Sequence, residues 1–286
     1  MTESISRIIV YVTESRAATA TVEAAGRLAD SLDATLIGLH AKDDGSVAAM
    51  APGGAISPGL IEDLQEQSDQ RAQRARQSFE SVLKKHDDWK GEWRCIEDRG
   101  ISMRDGIARE AYLSDVIVAG QDDPDEEIPS SAVIVQDLIV DAGRPVVISP
   151  QGWTGGIGEK HVVIAWKASR EAARAVHDAM PFLTRAEKVT VISACLQRPT
   201  ADDDKEEPGV ALCRYLEEHG IKAQSSPLYG VEDSDAGSAL IKQAQDVEAD
   251  LMVLGGYSHS RLREGIFGGV TRDVIDNATV PALLSH

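Results

Sequence analysis

Ile8-Ile9-Val10-Tyr11-Val12 begins the first patterned stretch of the chain, and Val162-Val163-Ile164-Ala165-Trp166 begins a second. Both are short, largely β-branched runs without alternation, as expected of strands buried on both faces of a parallel sheet. The two runs open similar successions of elements. Ser15 is placed to cap a helix with Val22, Ala25, Ala29 and Leu32 on its inner face, and Ser169 precedes Ala173, Val176, Met180 and Leu183 at the same spacing. Further strand candidates recur in pairs: Thr35–Leu39 with Val189–Ser193, Asp115–Gly120 with Asp250–Gly255, and Arg144–Ser149 with Val280–Ser285. Strands alternating with helical patterns in a twice-repeated order predict an α/β chain of two tandem doubly wound domains with mostly parallel sheets.

At 286 residues the chain suits two domains, each large enough for its own core. The expected division is residues 1–150, a linker over 151–160 and a second domain over 161–286, the linker being assigned by its glycines (152, 155, 156 and 158). From Ile8 to Val116 is 108 residues while Val162 to Leu251 spans 89, so the first half carries 19 more. That surplus falls near 45–60, where Ala51-Pro52-Gly53-Gly54-Ala55-Ile56-Ser57-Pro58-Gly59 reads as a mobile loop before a long polar helix from about 60 to 85. The repeated last strands are sheet-edge candidates, which predicts a pseudo-twofold pairing of edges within the chain or between two copies of it.

A hydrophobic fraction of 42% with 27% charged residues is that of a water-soluble chain, and no apolar run reaches membrane-spanning length. The acid-containing N-terminus has no signal-peptide pattern, so a cytoplasmic location is expected. A net charge of −18 repels phosphate backbones and anionic lipid; small molecules, proteins or a second copy of the chain are the expected partners, not nucleic acid or membrane. Cys95, Cys195 and Cys213 form no C-x-x-C pair, and His40, His86, His161, His177 and His219 are scattered. We therefore expect no metal, and read these histidines as surface or partly buried singletons. The acidic runs 122–127 and 202–207 lack the ligand alternation of a calcium loop and read as solvated loops.

In an open α/β sheet the ligand crevice lies beyond the carboxyl ends of the strands. After the fourth strand of the second half comes Gly255-Gly256-Tyr257-Ser258-His259-Ser260-Arg261-Leu262-Arg263-Glu264-Gly265-Ile266-Phe267-Gly268-Gly269-Val270-Thr271, leading into a helix pattern. Glycines at both ends let backbone N–H groups approach a phosphate, and the helix start favours an anion. In length and position this loop resembles the nucleotide loop of the universal stress protein family, G-x-x-G-(nine residues)-G-(S or T). Gly255 and Gly268 fit, Ser258 replaces the second glycine, and Gly269 replaces the hydroxyl residue, for which Thr271 is a partial substitute. The likeness runs over both halves and implies domains of the adenine-nucleotide alpha-hydrolase-like type and a non-catalytic role in stress response. It also implies an ATP or AMP crevice lined by Ala165, Lys167, Ala194, Gly255, Ser258, Gly268, Gly269, Val270 and Thr271.

ATP-binding members usually carry an aspartate directly after the first strand, where this chain has Thr13 and Lys167. Binding is therefore expected to be weak and confined to the second half, because the first has Gln121 and an acidic run after Gly120. An interaction scaffold that binds no nucleotide is the alternative. A remoter one is a serine hydrolase using Ser258, since Gly256-Tyr257-Ser258-His259-Ser260 nearly spells a nucleophile elbow. Only one strand remains after it to supply the acid and histidine, and the candidates, Asp273, Asp276 and His286, are poorly placed for the task.

Overall fold

A computed structural model describes residues 4–42, 58–97, 103–121, 132–198, 206–256 and 269–286. The first half runs β1 (Arg7–Tyr11), α1 (Ala18–Ser31), β2 (Thr35–Ala41), α2 (Pro58–Leu83), β3 (Gly91–Ile96), α3 (Met103–Ala111), β4 (Val116–Gly120), α4 (Ala132–Asp141) and β5 (Val146–Ser149). The second runs β6 (His161–Ala165), α5 (Arg170–Asp178), α6 (Met180–Leu183), β7 (Lys188–Ile192), β8 (Ala194–Cys195), α7 (Val210–Glu218), β9 (Ala223–Ser225), β10 (Leu228–Tyr229), α8 (Ala236–Asp246), β11 (Leu251–Gly255), α9 (Gly269–Asn277) and β12 (Ala282–Ser285).

Ten strands form one sheet in the order β3-β2-β1-β4-β5-β12-β11-β6-β7-β9, so each half contributes five strands in the same doubly wound order. Every neighbouring pair is parallel except β5 with β12, which meet antiparallel through Val146↔Leu284, Val147↔Leu283 and Ile148↔Ala282. The predicted edge pairing occurs here, within the chain, and antiparallel pairing of equivalent strands is what a pseudo-twofold requires. Pro145 and Pro281, which have no N–H to offer a ladder, stand just before these strands and give their carbonyls to Ile117 and Met252.

Both faces of the sheet are covered. Ile8, Val10 and Val12 turn toward α1, α2, α5, α6 and α7, while Ile9 and Tyr11 turn toward α3, α4, α8 and α9. This double burial is why the strand sequences are unbroken apolar runs.

Four local expectations are corrected. Ser169 caps α5, accepting from the Ala172 N–H at 3.1 Å, but Ser15 does not cap α1: that helix begins after Ala17 without a side-chain cap, and the Ser15 hydroxyl accepts from Thr13 at 2.8 Å. The inner face of α5 is Ala172, Ala175 and Val176, with Ala173 exposed, and the helix ends at Asp178 because Pro181 opens the separate turn α6. The surplus of the first half includes helix as well as loop, since α2 has 26 residues against nine in α7; of the loop expected over 51–59, Pro58 and Gly59 already belong to α2, and 51–57 lie outside the described residues.

The segment expected to be a linker is packed. Ile157 is 2% exposed and belongs to the core, and Trp153 donates to the Gly156 carbonyl while its own carbonyl accepts from Arg27 at 3.1 Å. Gly158 has φ +71°, and a Cβ there would meet Phe182 and Leu251 at 2.9 and 3.0 Å, so this glycine serves a left-handed turn against the core rather than a tether.

Candidate functional site

The carboxyl ends of β6, β7 and β11 define the crevice of the second half. Register sets Ala165 beside Leu254 at the sheet's switch point, with Gly255 one residue beyond. Trp166 then donates its N–H to Ile192 at 2.7 Å, and Lys167 stands exposed on the turn before Ser169, with no ion-pair partner among the described residues. Ala194 starts the two-residue strand β8, which pairs with β10 through Leu228. Beside it the rim carries Leu196, 62% exposed, and Tyr229, whose ring lies 4.7 Å from the Arg198 guanidinium and whose hydroxyl donates to Glu207 at 2.9 Å.

Gly255 has a tight packing role. A Cβ on it would lie 2.5 Å from the Ala172 nitrogen and 2.6 Å from the Glu171 carbonyl carbon, so β11 ends directly against the first turn of α5. Gly120 has the same relation to α1, where a Cβ would meet the Thr21 hydroxyl at 2.5 Å. The next residues reach across the seam: Gly256 lies against Ile139 of α4, and the Gln121 amide donates to the Ala278 carbonyl at 3.0 Å.

Gly269 opens α9 with nothing among the described residues within 4 Å of its Cβ position, and Val270 is half-buried. Thr271 is 5% exposed and shares the inward face of α9 with Val274 and Ile275. The hydroxyl expected to substitute at the phosphate is therefore on the core side of its helix. Ser258, His259 and Gly268 lie outside the described residues, as do 122–127 and 202–205. Of the remaining hydrolase candidates, Asp273 packs against Gly237 of α8 and Asp276 faces Arg272 at 3.5 Å.

Three features escape a reading of the sequence. Ser193, just after β7, and Ser149 and Ser285, which end β5 and β12, have buried hydroxyls with no hydrogen-bond partner among the described residues. Asp250, buried just before β11, accepts the N–H groups of Glu159 and Lys160 on Oδ2 at 2.9 and 2.8 Å and that of His161 on Oδ1 at 2.9 Å. Asp115 repeats this before β4, accepting from Ser6 and Arg7 at 2.8 and 2.9 Å. An aspartate before each fourth strand is visible in the repeat, but its reach to the first strand depends on the β1–β4 and β6–β11 neighbour relation.

His40 and His161 are buried, not surface or partly buried singletons. His40 is 5% exposed and its Nδ1–H donates to the Val12 carbonyl at 2.7 Å. His161 is 6% exposed, donates from Nδ1 to Val247 at 3.0 Å and accepts on Nε2 from Thr190 at 2.8 Å. Burial lowers both pKa values below the ordinary 6.5. Each ring stays neutral in the fold while the unfolded chain takes up a proton, so stability is full above about pH 6.5 and declines as pH falls toward the lowered folded values, by at most about 1.4 kcal/mol per pH unit for each ring. Urea midpoints should accordingly drop between pH 7.5 and 5.5, and His161→Gln should flatten that dependence.

Among the described residues no group of three or more His, Cys, Asp or Glu is arranged to hold a metal, and no helix is long and apolar enough to cross a membrane. Residues 159–286 match the model of the universal stress protein family. The C-terminal half is a universal stress protein domain. The fold extends the likeness to the whole chain: a universal stress protein from Archaeoglobus fulgidus DSM 4304 superposes with a TM-score of 0.68 at 15% identity, over 98% of this chain and 97% of that one. A functionally unknown protein from Pseudomonas aeruginosa PAO1 matches with a TM-score of 0.54 at 16% identity, over 99% and 92%. No protein of curated function matches the chain in sequence. The universal stress protein match begins at the Asp250 clamp, since Glu159 is its first residue and one of the three N–H donors.

Proposed function

We propose that this is a non-catalytic, stress-linked binding protein of the universal stress protein family whose C-terminal domain holds a weakened adenine-nucleotide crevice for ATP or AMP. The observation that carries the reading is the start of α9 at Gly269, open among the described residues, in the domain that matches the family and at the carboxyl end of its sheet, where the helix dipole and the N–H groups that have no partner within the helix favour a phosphate. The Lys167 ammonium, unpaired among the described residues, adds attraction for an anion. The crevice lacks a carboxylate for a ribose hydroxyl at position 167 and a hydroxyl for phosphate at position 269. Two such absences, at about 1–3 kcal/mol each, weaken binding by roughly thirty- to twenty-five-thousand-fold.

Calorimetric titration with ATP and AMP tests this. Lys167→Asp with Gly269→Ser should strengthen binding, and neither change meets a neighbour among the described residues: Lys167 is exposed and nothing lies within 4 Å of the Gly269 Cβ position. Tight binding by the unaltered chain, or no gain in the folded double variant, would reject the proposal. One observation favours the rival reading, a scaffold that binds no nucleotide: packing against α5 is sufficient reason for Gly255, without any ligand. A chain purified under native conditions that carries no nucleotide by mass spectrometry, and shows no heat with either nucleotide, would establish that rival.

A further inference from the structure

The two crevices are unequal for a reason that lies in α2. Register makes Gly38, His40 and Lys42 of the first half equivalent to Val191, Ser193 and Cys195 of the second, because Val10 pairs with Gly38 and Ile164 with Val191. Phe79 of α2 packs over Gly38, where a Cβ would come within 2.6 Å of its ring. In the second half Gly209, the residue before α7, occupies the corresponding level, with a Cβ position 2.9 Å from Val191. Helix α7 thus begins about where α2 has already run from Pro58 to Phe79, which at 1.5 Å per residue is about 30 Å of additional helix directed past the carboxyl ends of β2 and β3.

This added length is held down. The inward face of α2 continues from Phe79 and Ala75, both at most 1% exposed, through half-buried Ala72 and Arg71 to Ser68 at 2% and half-buried Leu64. Beyond the strand ends Lys42 forms an ion pair with Asp69 of α2 and lies 4.0 Å from Glu97, one cation between two carboxylates. The hydrogen bond to Asp69 is the main reason that the Lys42 pKa is raised. Beneath it, His40 and Cys95 are register neighbours on the same face.

We propose that the N-terminal half of α2 is a built-in cover over the β2–β3 side of the first domain's crevice, latched by Lys42 and Asp69, so that the chain offers one accessible crevice and not two. The cover stands whether or not the second domain binds nucleotide. Lys42 then holds its own chain at the place where the second domain has half-buried Cys195 and exposed Leu196.

Hydrogen exchange on the full chain tests the latch. In Asp69→Ala and in Lys42→Met, the backbone amides of residues 64–72 should exchange about 2- to 5-fold faster than in the wild type, the range expected for a partly exposed ion pair. Amides of 75–82, anchored by Phe79 and Val82, should be unchanged, and Asp69→Glu should restore wild-type rates. Unchanged exchange over 64–72 in the alanine variant overturns the proposal. So does equal acceleration over 75–82, which would mean that the whole helix is destabilised rather than its cover released.

Discussion

Gly255→Ala should destabilise the fold by about 3 kcal/mol, the largest effect expected of any single methyl group added near the site. The new carbon would lie 2.5 and 2.6 Å from backbone atoms of Ala172 and Glu171, and backbone at the start of a capped helix cannot rotate away as a side chain can. Relief would require α5 to move off β11, opening the core at Ala175 and Val176. Gly120→Ala meets only the Thr21 hydroxyl, so it should cost less and be largely rescued by Thr21→Ala. Gly269→Ala, entering open space, should stay within about 0.5 kcal/mol of wild type. Urea denaturation of the four variants checks the order; a Gly255→Ala protein as stable as Gly269→Ala would show that β11 and α5 do not meet as described.

Asp250→Ala should cost a similar amount, about 3 kcal/mol, because it strips the acceptor from three N–H groups in a nearly dry site. Asp250 is 6% exposed, so water cannot readily replace the carboxylate. The corresponding change at Asp115, which accepts two N–H groups in a more open setting, should cost about 1–2 kcal/mol. Asp250→Asn retains one acceptor oxygen but turns an amide toward a donor, and should fall between wild type and alanine. Equal losses at Asp115 and Asp250 would mean that burial does not set the strength of the clamp.

How far the sequence can be read depends on where each residue's partners lie. Strands buried on both faces write themselves as apolar runs, so β1, β2, β4 and β5 and their repeats in β6, β7, β11 and β12 are legible. The third strands are not: β3 is an outer strand with Glu92 exposed and Arg94 half-buried, and β9 has only three residues. Glycines in residues 151–158 suggest a tether, whereas Ile157 and Trp153 within the same stretch fasten it to both halves of the core. Ser15 and Ser169 look equivalent in spacing, yet Ser169 has the extended backbone of a cap, at φ −148° and ψ 165°, whereas α1 starts only after Ala17, whose backbone is already helical at φ −75° and ψ −16°. At the candidate site, the position of Lys167 and the opening at Gly269 can be read from the element order. The packing role of Gly255 and the inward turn of Thr271 depend on α5 and on the face of α9, which no local pattern records. His40 and His161 are buried for the same kind of reason, a carbonyl or hydroxyl contributed by a distant strand or turn.

The antiparallel meeting of β5 and β12 has a thermodynamic consequence. Two separate subunits joined through such a seam would part on dilution, whereas here the second partner is supplied at a fixed effective concentration set by the covalent connection through residues 150–160. The urea midpoint of this molecule should not vary with protein concentration, as it does for a pair that must find each other. Joining the copies also releases them from identity. A change in one half of a symmetric dimer is made twice, but here α2 can lengthen to 26 residues while α7 keeps nine, and each surface can be altered without the other.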